Sequence, residues 1–170
     1  SQFNQIHYDL EAEVYDQDHP EILTGDYEWY RGKLHENCGN GSNKSQKILD
    51  FGCGTGFVSN IILKNKFPYE KLVCLDGSKE MLDAAKVKLN GAPNSHFVSS
   101  LDELQGEKFD IIAINSVLHH FPDPCKLLIT LEKHLNPNGL IIGGHEPSIQ
   151  FSNNPLARFA GRIYKSLGGE

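Results

Sequence analysis

An α/β domain built on a doubly wound, mainly parallel sheet is the fold class that three features of this sequence predict. From Lys47 onward, short β-type runs alternate with stretches of helical spacing. Those runs are apolar almost throughout rather than at every second residue, as expected for strands covered on both faces. The first run breaks into glycines, which places a sharp strand-to-helix turn where a parallel sheet opens its ligand crevice.

Taken in order, Asp26 to Asn37 carries Trp29, Tyr30, Lys33 and Leu34 along one stripe and predicts a helix. Cys38 to Ser45, rich in Gly, Asn and Ser, reads as a loop, and its two glycosylation-type triplets read as linker. Ile48 to Phe51 is the first strand, Val58 to Lys66 a helix, and Leu72 to Asp76 the second strand. Ser78 suits the N-cap of a helix through Met81, Leu82, Ala85 and Leu89. His96 to Val98 is a weaker third strand and Phe109 to Asn115 a stronger fourth. Pro122 and Pro124 open a helix whose apolar face is Leu127, Leu128, Ile129, Leu131 and Leu135. Pro137-Asn138-Gly139 is a turn, and Leu140 to Gly144 the fifth strand. The division expected is a single domain over 1–170: a helical cap and linker over 1–46, a core over 47–146, and a helical segment over 147–170.

Composition bounds the function. With 170 residues and 39% hydrophobic content, the chain has one domain's worth of core and is neither disordered nor membrane-spanning. Ser1 to Gln5 lacks the basic-then-apolar pattern of a signal peptide, so a cytoplasmic protein is expected. A net charge of −6 argues against a nucleic-acid partner held by bulk electrostatics. Cys38, Cys53, Cys74 and Cys125 form no C-x-x-C pair, and His119 and His120 are adjacent rather than four apart, so no metal is expected.

The chemistry concentrates at strand ends. Asp50-Phe51-Gly52-Cys53-Gly54-Thr55-Gly56 alternates its glycines, unlike the G-x-G-x-x-G of nicotinamide dinucleotide sites, which disfavours a dehydrogenase. Asp76 closes the second strand, where a carboxylate can accept two ribose hydroxyls. Together these make a nucleoside site. Ile48 to Gly56 resembles the first motif of the class I S-adenosylmethionine-dependent methyltransferases, and the likeness runs in order over roughly residues 8 to 147.

The resemblance implies a Rossmann-like sheet of strand order 3-2-1-4-5 with an N-terminal helical cap, and S-adenosylmethionine as cofactor with S-adenosylhomocysteine as product. Gly52, Cys53, Gly54 and Gly56 would line its methionyl part, with Asp50 fixing the loop and the amino group. Asp76 would hold the ribose, with Gly77, Ser78 and Met81 opening the next helix. Met81 reads either as a surface for the adenine or as an ordinary core methionine. Ser100 stands where the family often has an acid facing the adenine, beside the Leu101 backbone and Asp102. Asn115 would turn its backbone toward the methionyl group, and Tyr15 belongs to a lid segment or packs on the sheet edge.

Methyl transfer needs alignment, desolvation and, for a protonated acceptor, a base. His119, His120, His145 and Glu146 follow the fourth and fifth strands and are the candidates, with His119 and His145 ranked first. The fourth strand is followed by Asn115-Ser116-Val117-Leu118 rather than an Asn/Asp-Pro-Pro-aromatic run, and it carries no acid cluster for magnesium. Cys125, after Pro124, reads as a buried helix residue. A small-molecule acceptor is therefore expected, with no membrane partner.

Only 24 residues follow Glu146, and Leu156 to Leu167 suits a helix. The antiparallel strand pair usual in the family is expected to be missing, as in a chain truncated after strand five or naturally short. That would leave an exposed strand-five edge and predicts self-association. The alternative function is a non-catalytic binding or scaffold module of a larger assembly.

Overall fold

The computed structural model describes residues 25–39 and 45–146. Tyr15, the linker triplets and the helix expected over 156–167 lie outside the described residues. In chain order, α1 (Gly25–Leu34) runs into a π turn (His35–Gly39). Then come β1 (Gln46–Phe51), α2 (Phe57–Lys64), β2 (Tyr69–Leu75), α3 (Lys79–Lys88) and β3 (Ser95–Val98). A 3₁₀ turn (Leu101–Leu104) leads to β4 (Phe109–Asn115), a second (Leu118–His120) to α4 (Pro124–Glu132), and β5 (Leu135–Gly144) follows. The five strands form one all-parallel sheet in the order β3-β2-β1-β4-β5, which is the Rossmann-like order expected.

Alternation along the strands builds two cores from one sheet. Ile48, Leu72, Cys74, Ile111 and Ala113 face one side, where Tyr30 and Leu34 of α1, Val58, Ile61 and Ile62 of α2 and Leu82 of α3 cover them. Leu49, Phe51, Val73, Leu75, Ile112 and Ile114 face the other, under Leu127 and Leu131 of α4. Each buried Val, Leu, Ile or Phe side chain here contributes about 1.5–3 kcal/mol relative to exposure. Because both faces are filled, the strand residues are apolar nearly throughout, and polar groups are displaced to the strand ends.

The cap helix is anchored by a phenol. The Tyr30 hydroxyl lies within hydrogen-bond reach of the Ile114 and Ile142 carbonyls and accepts from the Ile114 N–H at 3.1 Å. A Cβ on Gly144 would stand 2.7 Å from the Tyr30 ring and 2.8 Å from that of Trp29, so glycine here admits the aromatic pair.

Several boundaries differ from the sequence reading. The helix begun by Pro124, capped by the Asp123 carboxylate accepting the Lys126 N–H at 3.0 Å, ends at Glu132 rather than Leu135. Leu135 instead pairs with Phe109, so β5 starts early and Pro137-Asn138-Gly139 lies inside its span. Pairing resumes at Ile111↔Leu140, and Asn138, at φ 65°, turns the intervening excursion. The periodicity of leucines ran on past the helix because the same residue type suits both elements. The first helix is likewise shorter than expected and gives way to the π turn. Among the described residues β3 and β5 are the two edges of the sheet, no helix is long and apolar enough to cross a membrane, and no cluster could hold a metal ion.

Candidate active site

Where β1, β2 and β4 end, the sheet order opens a crevice, and a cavity of about 490 Å³ lies there. Its floor is the glycine loop after β1. The N–H groups of Gly52 and Cys53 both reach the Leu75 carbonyl at the end of β2, at 2.7 and 3.0 Å. Gly52, Gly54 and Gly56 all have positive φ, and each glycine serves a different end. A Cβ on Gly52 would lie 2.4 Å from Val117 in the loop after β4, so its absence lets the two loops touch. A Cβ on Gly54 would project into open space. One on Gly56 would press on Leu89 and Ala85, so that residue serves helix packing and is not among those lining the cavity.

Two carboxylates set the electrostatics. Asp50 is buried, and its Oδ2 accepts from the Ser59 N–H at 3.0 Å and the Ser59 hydroxyl at 2.6 Å. Burial pushes its carboxyl up to about 6 against the Ser59 hydrogen bonds, with the nearby Asp76 charge adding to the rise. Asp76 binds the glycine loop to α3: its Oδ2 accepts from Gly54 N–H at 2.8 Å, its Oδ1 from Ser78 N–H at 2.9 Å. Ser78 in turn caps α3 by accepting from Met81 N–H at 3.2 Å. Cys53 is a free, buried thiol whose Sγ lies 3.5 Å from the Gly54 carbonyl; the neighbouring Cys74 thiol and burial raise it well above its ordinary range, so it stays neutral. Asn115 contributes a buried Oδ1 with no hydrogen-bond partner.

The loop after β4 is organised from far along the chain. Glu146 Oε1 accepts from the Val117 and Leu118 N–H groups at 2.6 and 2.8 Å, and Oε2 accepts from His119 N–H at 3.3 Å and meets His119 Nδ1 at 3.1 Å. One carboxylate thus satisfies the first amides of a 3₁₀ turn, an N-terminus that favours negative charge. Glu146 is consumed by this role rather than offered as a base. His119 is tied to it, and the adjacent His120, its ring centroid 3.9 Å from that of His119, lines the cavity. Burial, then the neighbouring His119, lowers the His120 imidazole below its ordinary value. His145 meets Asp26 Oδ2 at 2.6 Å and is not among the lining residues.

Of the residues singled out from sequence, the cavity brings together Asp50, Gly52, Cys53, Gly54, Asp76, Gly77, Ser78, Met81, Leu101 and Asn115. Gly56, Ser100, His119 and His145 stand outside its lining. Sequence reasoning missed Ser99, which lines the cavity as Leu101 does while Ser100 between them does not. Extended backbone carries the signal: with Ser100 at φ −153°, neighbours two apart share a face. It also missed the wall formed by Phe121, Pro122 and Leu127, which follows only from the fold.

A family model described as a methyltransferase domain matches residues 49–141, more than half of the chain. The chain belongs to the class I S-adenosylmethionine-dependent methyltransferase family. Among the curated relatives of this methyltransferase chain, a malonyl-[acyl-carrier protein] O-methyltransferase of Halalkalibacterium halodurans is 31% identical over 115 residues, covering 64% of this chain and 42% of the relative. A trans-aconitate 2-methyltransferase of Deinococcus radiodurans is 36% identical over 128 residues, covering 72% and 47% respectively. The methyltransferase chain thus spans a little under half the length of these relatives. The DhpI–SAH complex shares the fold at TM-score 0.61 and 19% identity, covering 82% of this chain and 65% of that one. An S-adenosylmethionine-dependent methyltransferase from Mesorhizobium loti shares it at TM-score 0.55 and 24% identity, covering 71% and 54%.

The cavity fits the family's cofactor on its own chemistry. Its described lining contains two carboxylates and no Lys or Arg, which suits a nucleoside bearing cationic groups and repels a polyphosphate. The open side of Gly54 and the orphaned Asn115 Oδ1 supply room and an acceptor.

Proposed function

We propose that this chain binds S-adenosylmethionine in the cavity and transfers its methyl group to a small-molecule acceptor. The observation that carries the reading is the pairing of Asp50 and Asp76 across an open glycine loop with no cation among the described lining residues. When bound, the cofactor would supply a sulfonium-activated methyl carbon. Asp50 receives the ammonium of the methionyl part, which replaces the missing counter-charge of a carboxylate whose burial otherwise disfavours ionisation. Asp76 closes β2 at the cavity, its two oxygens already accepting from Gly54 and Ser78, and its carboxylate would be the acceptor for the ribose hydroxyls. Met81, Leu101 and Asn115 line the same cavity; Met81 and Leu101 would bound the adenine, and Asn115 would serve the methionyl end. The relative named for trans-aconitate supports a small acceptor, while the one named for malonyl-[acyl-carrier protein] has its acyl group carried on a protein.

Calorimetric titration with S-adenosylmethionine and S-adenosylhomocysteine tests this. Micromolar binding is expected, weakened at least tenfold by Asp76→Ala; a folded protein that binds neither ligand would overturn the reading.

A further inference from the structure

We propose that Asp26 and Tyr30 of α1 are positioning residues for the acceptor side of the crevice: by gripping the last residues of β5 they aim Glu146 at the turn after β4. This deepens the assignment above and rests on it for what the crevice holds.

Strand order puts Asp76 and the glycine loop on one side of the crevice and the loop after β4 on the other. With the cofactor along the first side, the second, which brings Ser116, Val117, Phe121 and Pro122 to the lining, is the side left to the acceptor. That wall is built on a 3₁₀ turn of three residues, Leu118–His120, too short to satisfy its leading amides from within. Glu146 satisfies them instead, so the aim of one carboxylate sets the wall.

Glu146 stands two residues past the end of β5, and α1 holds the residues that lead to it. The Tyr30 hydroxyl reaches the Ile142 carbonyl at 2.8 Å and the Ile114 N–H at 3.1 Å, so a single buried phenol joins β4 and β5 near their ends. Its ring is fixed edge-on between Trp29 and Phe57, at centroid separations of 5.2 and 6.4 Å. The two rings of α1 fill the space that a Cβ on Gly144 would take. His145 then adopts φ 51°, a left-handed conformation that costs a residue with a Cβ and persists only where its surroundings fix it. What fixes it is Asp26, whose Oδ2 meets His145 Nδ1 at 2.6 Å. Asp26 and Tyr30 are four apart on α1 and so share one face of that helix. The grip on Ile142, Gly144 and His145 is therefore one contact surface, and the bend it enforces at His145 is the last before Glu146 turns back to β4.

The test follows amide hydrogen exchange by NMR in Tyr30→Phe, Asp26→Asn and His145→Gly. The first keeps the ring and removes only the hydroxyl, and the last keeps the bend without strain and removes the tether. Each is expected to speed exchange of the Val117 and Leu118 amides by about tenfold or more, and to move both signals toward their positions in Glu146→Gln. The Gly54 and Ser78 amides, which Asp76 holds, should exchange within about twofold of the unaltered protein, and S-adenosylhomocysteine should bind within about twofold. Adding Asp26→Asn to Glu146→Gln should change the Val117 and Leu118 amides little further, because both substitutions act through one carboxylate. Unchanged exchange of those two amides in folded Tyr30→Phe and Asp26→Asn would overturn the proposal, since Glu146 would then be aimed without α1. Exchange raised equally on both sides of the crevice would overturn it too, by showing that α1 merely stabilises the sheet. Selective exchange in a protein that binds no S-adenosylhomocysteine would keep the positioning chain and sink the cofactor assignment alone.

Discussion

The two sides of the crevice are held together by different means. The nucleoside side is built within the β1-α2-β2-α3 stretch: Asp76 reaches Gly54 22 residues back and Ser78 two residues on, Ser78 caps its own helix, and Asp50 bonds Ser59 nine residues on. The acceptor side is assembled at long range, by a single carboxylate at the end of β5 that captures three amides after β4. They touch where Gly52 meets Val117. The difference implies that the first side forms with its strand-turn-helix units, while the second exists only once β5 has docked.

The largest effect is expected from closing the contact between them. Gly52→Ala combines a φ of 67° with a Cβ 2.4 Å from the buried Val117, whose amide Glu146 holds in place. Strain and overpacking together cost about 2–5 kcal/mol, readable by urea denaturation. Gly54→Ala, which has a similar φ but open space, should cost only about 1–2 kcal/mol while blocking cofactor binding. Equal destabilisation by the two variants would remove Val117 from the argument.

Next comes Asp50, whose carboxyl rises from its ordinary 3.8 to about 6 in the folded chain. Between those values the native state binds more protons than the unfolded one. Its stabilising contribution is therefore complete below the unfolded value and lost as pH rises through about 6. The shift is worth about 3 kcal/mol at most. Subtracting the pH-stability curve of Asp50→Asn should isolate that fall, and a difference curve rising with pH would contradict it. Affinity for S-adenosylhomocysteine should run the opposite way, strengthening as Asp50 ionises, and the variant should flatten that trend.

Glu146→Gln separates the regions. Replacing one oxygen by an amide sets two donors against the His119 N–H and costs about 1.5–3 kcal/mol by the same denaturation assay. Binding of S-adenosylhomocysteine should stay within about twofold, because the nucleoside side makes no bond to Glu146. A collapse of that affinity would show that the two sides act as one unit through Gly52.

The same division decides what could be read from the sequence. Asp50, the glycines and Asp76 declare themselves because a strand end, a sharp turn and a helix cap each leave a local residue pattern. The sheet order followed from the family likeness carried by those residues. Glu146 had no such signal: its partners lie 27 to 29 residues away, and a carboxylate at a strand end reads equally as a base or as a cap. The sequence reading ranks His119 ahead of His120, yet it is His120 that lines the cavity, because the turn held by Glu146 decides which ring enters. His145 was drawn off to Asp26 on α1, a helix whose docking on β5 depends on Tyr30 and Gly144.

The smallest expected effect tests the register of the chain after β3. The family likeness placed Ser100 against the adenine, yet Ser99 and Leu101 line the cavity while the Ser100 hydroxyl lies 3.4 Å from Glu103 on the exposed side. Ser99 makes the shorter bonds to the same carboxylate, 2.6 Å from its hydroxyl and 3.0 Å from its amide, so Ser100 is marginal to the turn as well. Ser100→Ala should then leave affinity for S-adenosylhomocysteine within about twofold and stability within about 0.5 kcal/mol, as for an ordinary surface change. Ser99→Ala removes the better hydroxyl and alters a cavity wall, and calorimetry should register the larger loss there. If Ser100→Ala instead weakened binding severalfold, the alternation would be shifted by one residue when the site is filled, and the adenine side would have to be rebuilt around Ser100.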